Sequence, residues 1–285
     1  MITIVAPHEK DIGFPVKRLL PSAQQRHLGP FVFLDHMGPA TFQAGTTEGD
    51  VRPHPHIGLA TVTYLFSGAM VHRDSIGTVQ RIEPGAINLM TAGKGIVHSE
   101  RMPADIRTEA VLVQGIQTWL ALPEPDESSA PQFAHYAATE LPNWSQHGLS
   151  ARVLIGSAFG LTSPVSTRSP TTYADLQFDA GTRYELPASA QELGLYVAGG
   201  SLRINGMEVA ANHLAVLQHG ASHLLETGAQ PARALLLGGE PMAGPRHLNW
   251  NFVSSSLERI HQARDDWQNG RFPKVPGETE WIPLP

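Results

Sequence analysis

Short runs with β-type patterning, separated by Gly, Pro and Asn, dominate the chain. They fall at residues 61–66, 70–73, 80–82, 86–90, 111–120 and 151–155 and, after a Pro- and Ser-rich gap, at 173–178, 193–197, 201–204, 214–217, 223–226 and 232–237. Runs this short and this regularly punctuated predict an all-β sandwich or barrel. Near the end the period changes. Leu257, Ile260, Ala263, Arg264 and Trp267 are spaced for one face of a helix, Ser255-x-x-Glu258 has the form of a capping box, and Gly270 supplies a stop. One helix is therefore expected to close the chain and pack on a barrel.

Two internal features divide the molecule. Residues 122–143 have the polar and proline content of a connection between domains. The patterns Tyr64-Leu-Phe-Ser-Gly68 and Tyr196-Val-Ala-Gly-Gly200 repeat a strand-to-turn signature in the two halves. Two tandem β-barrels of one kind are the simplest account, one over residues 1–125 and a second over residues 126–285 that carries the helix and tail.

Composition narrows the chemistry. With 285 residues, 41% of them hydrophobic, the chain can bury one large core or two ordinary ones. A net charge of −6 without blocks of like charge points away from nucleic acid and anionic membranes and toward small partners. The absence of cysteine removes disulfides, thiolate ligands, iron–sulfur clusters and cysteine nucleophiles, so any metal must sit on nitrogen and oxygen. No secretory leader or run of transmembrane length is apparent, and a cytoplasmic protein is expected. On that expectation the sequon Asn143-Trp-Ser145 is a chance match.

The stretch Arg52-Pro-His54-Pro-His56-Ile-Gly58 carries the strongest chemical signal. In an extended strand residues i and i+2 project to one side, and the flanking prolines favour extension, so His54 and His56 form a pair of the kind that ligates metal. In Gly93-Lys-Gly95-Ile-Val-His98-Ser-Glu100 the same spacing recurs with one imidazole and one carboxylate. On neighbouring strands the two pairs would set three nitrogens and one oxygen around a point. That donor set suits a borderline divalent transition metal, with two octahedral positions left open. Ser99, between two ligands, points away from the metal, and Gly93-Lys-Gly95 reads as a tight turn rather than a phosphate loop. His36 is expected to hold a loop. Phe33, Met37, Thr61, Thr63, Met90 and Met102 are expected as cavity walls by strand parity.

The segments PHPHIGLATVTYLFSGAMVHRDSIG and EPGAINLMTAGKGIVHSERMP resemble the pirin family of the cupin superfamily. So do FVFLDHMGP, LGGEPMAGP and the ending IHQARDDWQNGRFPKVPGETEWIPLP. The resemblance implies a bicupin with one divalent metal in the N-terminal barrel. Iron(II) is the expected metal, with Zn, Mn, Ni, Co and Cu as alternatives, and its ligands are His54, His56, His98 and Glu100. Shifting the first barrel onto the second by the tyrosine offset places Leu186 and Ala188 where His54 and His56 stand. The second barrel is thus expected to lack the site, with His219 and His223 structural or on the surface.

The resemblance also implies a quercetin 2,3-dioxygenase-type activity on a flavonol-like aromatic substrate with dioxygen. Its alternative is a metal- or redox-sensing protein that modulates a transcription factor or enzyme. One departure bears on catalysis. Many pirins read HPHRGFE, whereas HPHIGLA puts Ala60 in place of that glutamate, and the base role falls to Glu100.

Overall fold

A computed structural model describes residues 1–285. Strands dominate as expected, and the chain forms two compact units. One comprises Met1–Glu9, Lys17–His36 and Thr139–Met242; the other comprises Lys10–Val16, Met37–Ala138 and Ala243–Pro285. This grouping differs from a single cut after residue 125, because the end of the chain, helix included, packs with the barrel that holds the histidine pairs.

In that barrel one sheet runs Val51–His56, Ile96–Arg101, Met70–Asp74, Val79–Ile82, each strand antiparallel to the next. The other places Gln132–Tyr136, Ile87–Thr91, Leu59–Ser67 and Val111–Ala121 side by side. Met70 and Ile82 of the first sheet pack against Leu65 and Val113 of the second, with Phe14, Phe42 and Met102 filling between them. Closing two antiparallel sheets on one core gives alternate residues an inner face, and that face receives the histidines.

The other unit repeats the plan. A sheet containing Glu192–Gly199, Ala232–Gly239, Thr171–Phe178 and Leu149–Ile155 faces one of Arg183–Leu186, His223–Glu226, Ser201–Ile204 and Met207–Ala210. The core between them is Leu176, Phe178, Leu195, Leu202, Ile204 and Leu225, with Leu186 also inside. An apolar interior occupies the space that imidazoles line in the first barrel.

Residues 122–143 are not a free connection. Gln132–Tyr136 adds an edge strand beside Ile87–Thr91, and Glu127 is buried, accepting from Ser254 Oγ (2.8 Å), the Ser255 amide (2.8 Å) and Arg246 (3.0 Å). That claim on Ser255 moves the helix start. The helix spans Leu257–Gln268 with Ser256 as N-cap, its hydroxyl accepting from the Arg259 amide, so the expected capping box at Ser255 does not form. Ile260 and Ala263 pack on Ile57 and Phe252, Leu257 is exposed, and Gly270 ends the helix at φ +66°.

Candidate metal centre

Val51–His56 is the outer strand of its sheet, where prolines are tolerated because no partner needs their missing amide hydrogen. Its parity turns His54 and His56 inward, and Ile96–Arg101 pairs beside it with His98 opposite His54. One ring nitrogen from each of His54, His56 and His98 lies within 4.8 Å of the others, and all three side chains are buried.

The hydrogen bonds assign the tautomers. His54 Nδ1 donates to the Arg52 carbonyl (2.9 Å) and His56 Nδ1 to the Asn251 carbonyl (3.1 Å). Each neutral ring therefore presents a bare Nε2, the form that binds metal. Burial lowers all three pKa values. His54 falls to about 4, helped by His72 and opposed by its bond to Arg52, while His56 and His98 lie well below the ordinary value because the neighbouring imidazoles add to the effect of burial. His56 Nε2 and His98 Nε2 stand 3.1 Å apart. At that distance the two nitrogens either share one proton or, with His98 in the tautomer that bares Nε2, set two lone pairs face to face that a cation between the three rings would relieve. The donor set thus fits the divalent metal that the sequence implied.

Glu100 does not join this cluster. The bulge between these strands lies in Val51–His56, which spends one residue more between the partners of His98 and Glu100, while Ile96–Arg101 keeps regular register with Met70–Asp74. Glu100 therefore faces the same side as His98, but its carboxylate stands apart from the trio. Glu100 is buried, and Oε1 lies 3.3 Å from the Thr63 hydroxyl, which donates to Gln117 Oε1 at 2.8 Å. Burial raises the pKa of the carboxyl, while His72 and the Thr63 hydroxyl pull it partway back. Ala60 is buried and brings no second carboxylate. Ser99 points to the opposite side and donates to Glu278, as parity required.

The expected cavity walls sort into two groups. Thr63 touches Glu100, and Thr61 sits beside Trp119, whose ring centroid is 5.1 Å from that of His56. Met37 and Met102 belong to the barrel core, Met90 packs with Ala92 and Ile96, and Phe33 lies under the Arg18 guanidinium (4.4 Å). His36 sits within a strand rather than in a loop, its Nδ1 accepting from the Tyr196 hydroxyl at 2.5 Å. His223 is satisfied by the Gln218 carbonyl and the Asn205 amide, and His219 is bonded to the Ala190 carbonyl.

Two further residues, His72 and Asp74, stand beside the trio. His72 Nδ1 is 3.3 Å from His98 Nδ1, and His72 Nε2 is 2.9 Å from Asp74 Oδ2. Their spacing, His-x-Asp in Val71-His-Arg-Asp74, is the same i, i+2 signal that marked the other two pairs.

Two cupin barrels, the first lined by a buried imidazole trio able to hold a metal ion, define a bicupin. The chain belongs to the pirin family. The family models Pirin and Pirin C-terminal cupin domain match residues 13–120 and 173–273. A Pirin-like protein of Caulobacter vibrioides is 46% identical over 281 residues, covering 97% of this chain and 96% of its own. The crystal structure of quercetin 2,3-dioxygenase from Acinetobacter baumannii superposes with a TM-score of 0.92 at 38% identity, covering 100% of this chain and 95% of that one. A bacterial pirin from Escherichia coli in complex with nickel(II) shares the fold at a TM-score of 0.65 and 17% identity, over 84% of this chain and 100% of that one.

Proposed function

We propose that the first barrel holds one divalent metal ion, iron(II) in its working form, and cleaves a flavonol-like aromatic ring with dioxygen. The observation that carries the metal is the convergence of one ring nitrogen from each of three buried imidazoles to within 4.8 Å, with His56 Nε2 and His98 Nε2 3.1 Å apart. The likeness to the A. baumannii quercetin 2,3-dioxygenase supports the substrate class. When bound, the metal supplies a Lewis acid that holds the substrate's deprotonated oxygen and an electron path between substrate and dioxygen.

The chain's own residues do the rest. His54, His56 and His98 would hold the ion through their ring nitrogens, and Glu100, whose carboxylate stands outside the trio, would complete the set as a fourth donor by a turn of its side chain. Glu100 is also the base that takes the substrate hydroxyl proton, a role suited to a carboxyl whose basicity burial has raised. Thr63, fixed by Gln117, keeps the carboxylate within reach. Thr61 and Trp119 shape the wall beside His56. One dioxygen is consumed per flavonol, both of its atoms enter the products, and the ring is lost as carbon monoxide and a phenolic ester.

The test loads metal-free protein with iron(II) anaerobically, adds quercetin and admits air. Bleaching of the flavonol band with one carbon monoxide released per ring supports the reading, and His54→Ala and His98→Ala abolish both. A wild-type protein that holds metal yet leaves quercetin intact with each of iron, nickel, cobalt and manganese overturns the catalytic part.

A further inference from the structure

Three ligands stand in the site, but only two are oriented by the backbone. His54 and His56 give their Nδ1 protons to the carbonyls of Arg52 and Asn251. His98 has a side chain there instead, His72 Nδ1 at 3.3 Å. Two imidazole nitrogens form a hydrogen bond only when one carries the proton and the other does not, so what sets His72 sets His98.

Asp74 sets His72. Its Oδ1 accepts the amides of Ile76 (3.0 Å) and Thr78 (2.9 Å), closing the turn after the Met70–Asp74 strand, and Oδ2 faces His72 Nε2 at 2.9 Å. A carboxylate so engaged accepts, so His72 carries its proton on Nε2 and offers a lone pair at Nδ1. His98 must then donate from Nδ1, which leaves its Nε2 bare on the metal side. Asp74 is wholly buried, and the His72 ring stacks on Phe133 with centroids 4.5 Å apart and planes at 26°, so neither group has room to turn away. Strand register supplies the geometry: Asp74 lies opposite His98 and His72 opposite Glu100, which places His72 diagonally beside the ligand.

We propose that the Asp74–His72 pair is a positioning relay that fixes the tautomer and the aim of His98, presenting Nε2 to the metal and strengthening it as a donor. It rests on the reading of the trio as a metal site and adds residues to it. Partners of this type typically change metal affinity by 10–100-fold.

The experiment compares nickel(II) affinity, by competition with a chromophoric chelator, among wild type, His72→Asn, His72→Phe and Asp74→Asn, with the thermal midpoint of each metal-free protein as the folding control. Asparagine puts an acceptor oxygen where Nδ1 stood, whereas phenylalanine keeps the stacked ring and removes the acceptor. Asp74→Asn keeps the turn through Oδ1 but donates to His72, reversing the proton order down to His98. His72→Asn is expected to bind within about threefold of wild type, and His72→Phe and Asp74→Asn about 10–100-fold more weakly. The absorption bands of the cobalt(II)-loaded proteins shift in the same two variants. Unchanged affinity in His72→Phe overturns the relay while leaving the metal site standing. Equal losses in the Asn and Phe variants reduce His72 to packing and also overturn it. A wild type that binds no nickel removes the metal reading itself and the relay with it.

Discussion

Ser99, the residue between His98 and Glu100, donates its hydroxyl to Glu278 Oε1 at 2.9 Å on the reverse side of the ligand strand. The alternation that sends His98 and Glu100 inward sends Ser99 and Arg101 outward, and Glu278 also accepts from Arg101 Nε (2.8 Å) and Nη2 (2.5 Å). The Ile282 amide donates to the Pro53 carbonyl (2.8 Å), so the C-terminal tail braces both ligand strands from behind. Arg101 bonding holds the Glu278 carboxyl below its ordinary range against the opposing effect of burial. Glu278→Gln keeps the shape and removes the charge. It is expected to cost about 1–3 kcal/mol, read from urea unfolding, the range for a partly buried charge-assisted bond. A midpoint equal to wild type would show the tail to be an ornament on the strand.

Metal binding should be visible as stability. A ligand bound only by the folded state adds about 2.7 kcal/mol at a hundredfold excess over its dissociation constant. For a protein of this size that amounts to a rise of about 5–10 °C in the melting midpoint. Nickel(II) or iron(II) is expected to produce the rise in wild type, chelator to reverse it, and His98→Ala to remove it. A rise that survives His98→Ala would assign the binding to other residues.

What the sequence made legible follows from how local each signal is. Period-2 spacing and flanking prolines sufficed to aim His54 and His56, because strand parity is decided within a few residues. The helix face was likewise readable at Ile260 and Ala263. Glu100 shows where local reading stops: parity turns it inward with His98, yet its carboxylate stands apart from the trio beside the Thr63 hydroxyl, a placement decided by strands distant in the chain. The N-cap moved from Ser255 to Ser256 because Glu127, distant in sequence, takes Ser255 for itself. His72 and Asp74 carried the same spacing as the ligands. Only the register that lays them beside His98 distinguishes a supporting pair from a third ligating one.

His36 makes the second barrel's unit sensitive to acid. Burial, with Lys17 and Arg233 adding to it and Asn212 opposing, lowers its pKa from 6.5 to about 4, and the Tyr196 hydroxyl bonds the neutral ring. Below pH 6.5 the unfolded chain takes up a proton that the folded chain refuses until about pH 4. Stability therefore falls as pH drops through that window and is fully present above it. The shift corresponds to at most about 3 kcal/mol. His36→Asn keeps an acceptor for Tyr196 and does not titrate, so urea midpoints measured from pH 7.5 to 4.5 should fall less steeply in the variant. The other buried histidines contribute to both proteins and cancel in the difference. Parallel curves would mean that His36 takes up its proton alike in the folded and unfolded chains.

Gly58 closes the turn directly after the His54–His56 pair, and its position leaves no room for a side chain. Its φ is +65°, and a Cβ there would lie 2.0 Å from the Val253 carbonyl oxygen, a backbone atom that is itself fixed where the Val253 amide bonds Ile57 (3.2 Å). The Gly58 amide and carbonyl in turn hold Gly93 (2.9 Å) and Leu122 (3.0 Å), so the turn cannot relax without loosening the loop that leads to His98. Gly77 offers a control, with φ +94° and nothing within 4 Å of a built Cβ. Left-handed backbone alone costs an alanine about 1–2 kcal/mol. Gly77→Ala is expected to lose about that much, and Gly58→Ala about 3 kcal/mol or more, because the clash adds to the strain. The same variant should bind nickel(II) more weakly, since the backbone that must shift carries His56 two residues away. Equal unfolding midpoints for the two alanine variants would show that Val253 yields freely and that the turn does not hold the histidine pair in place.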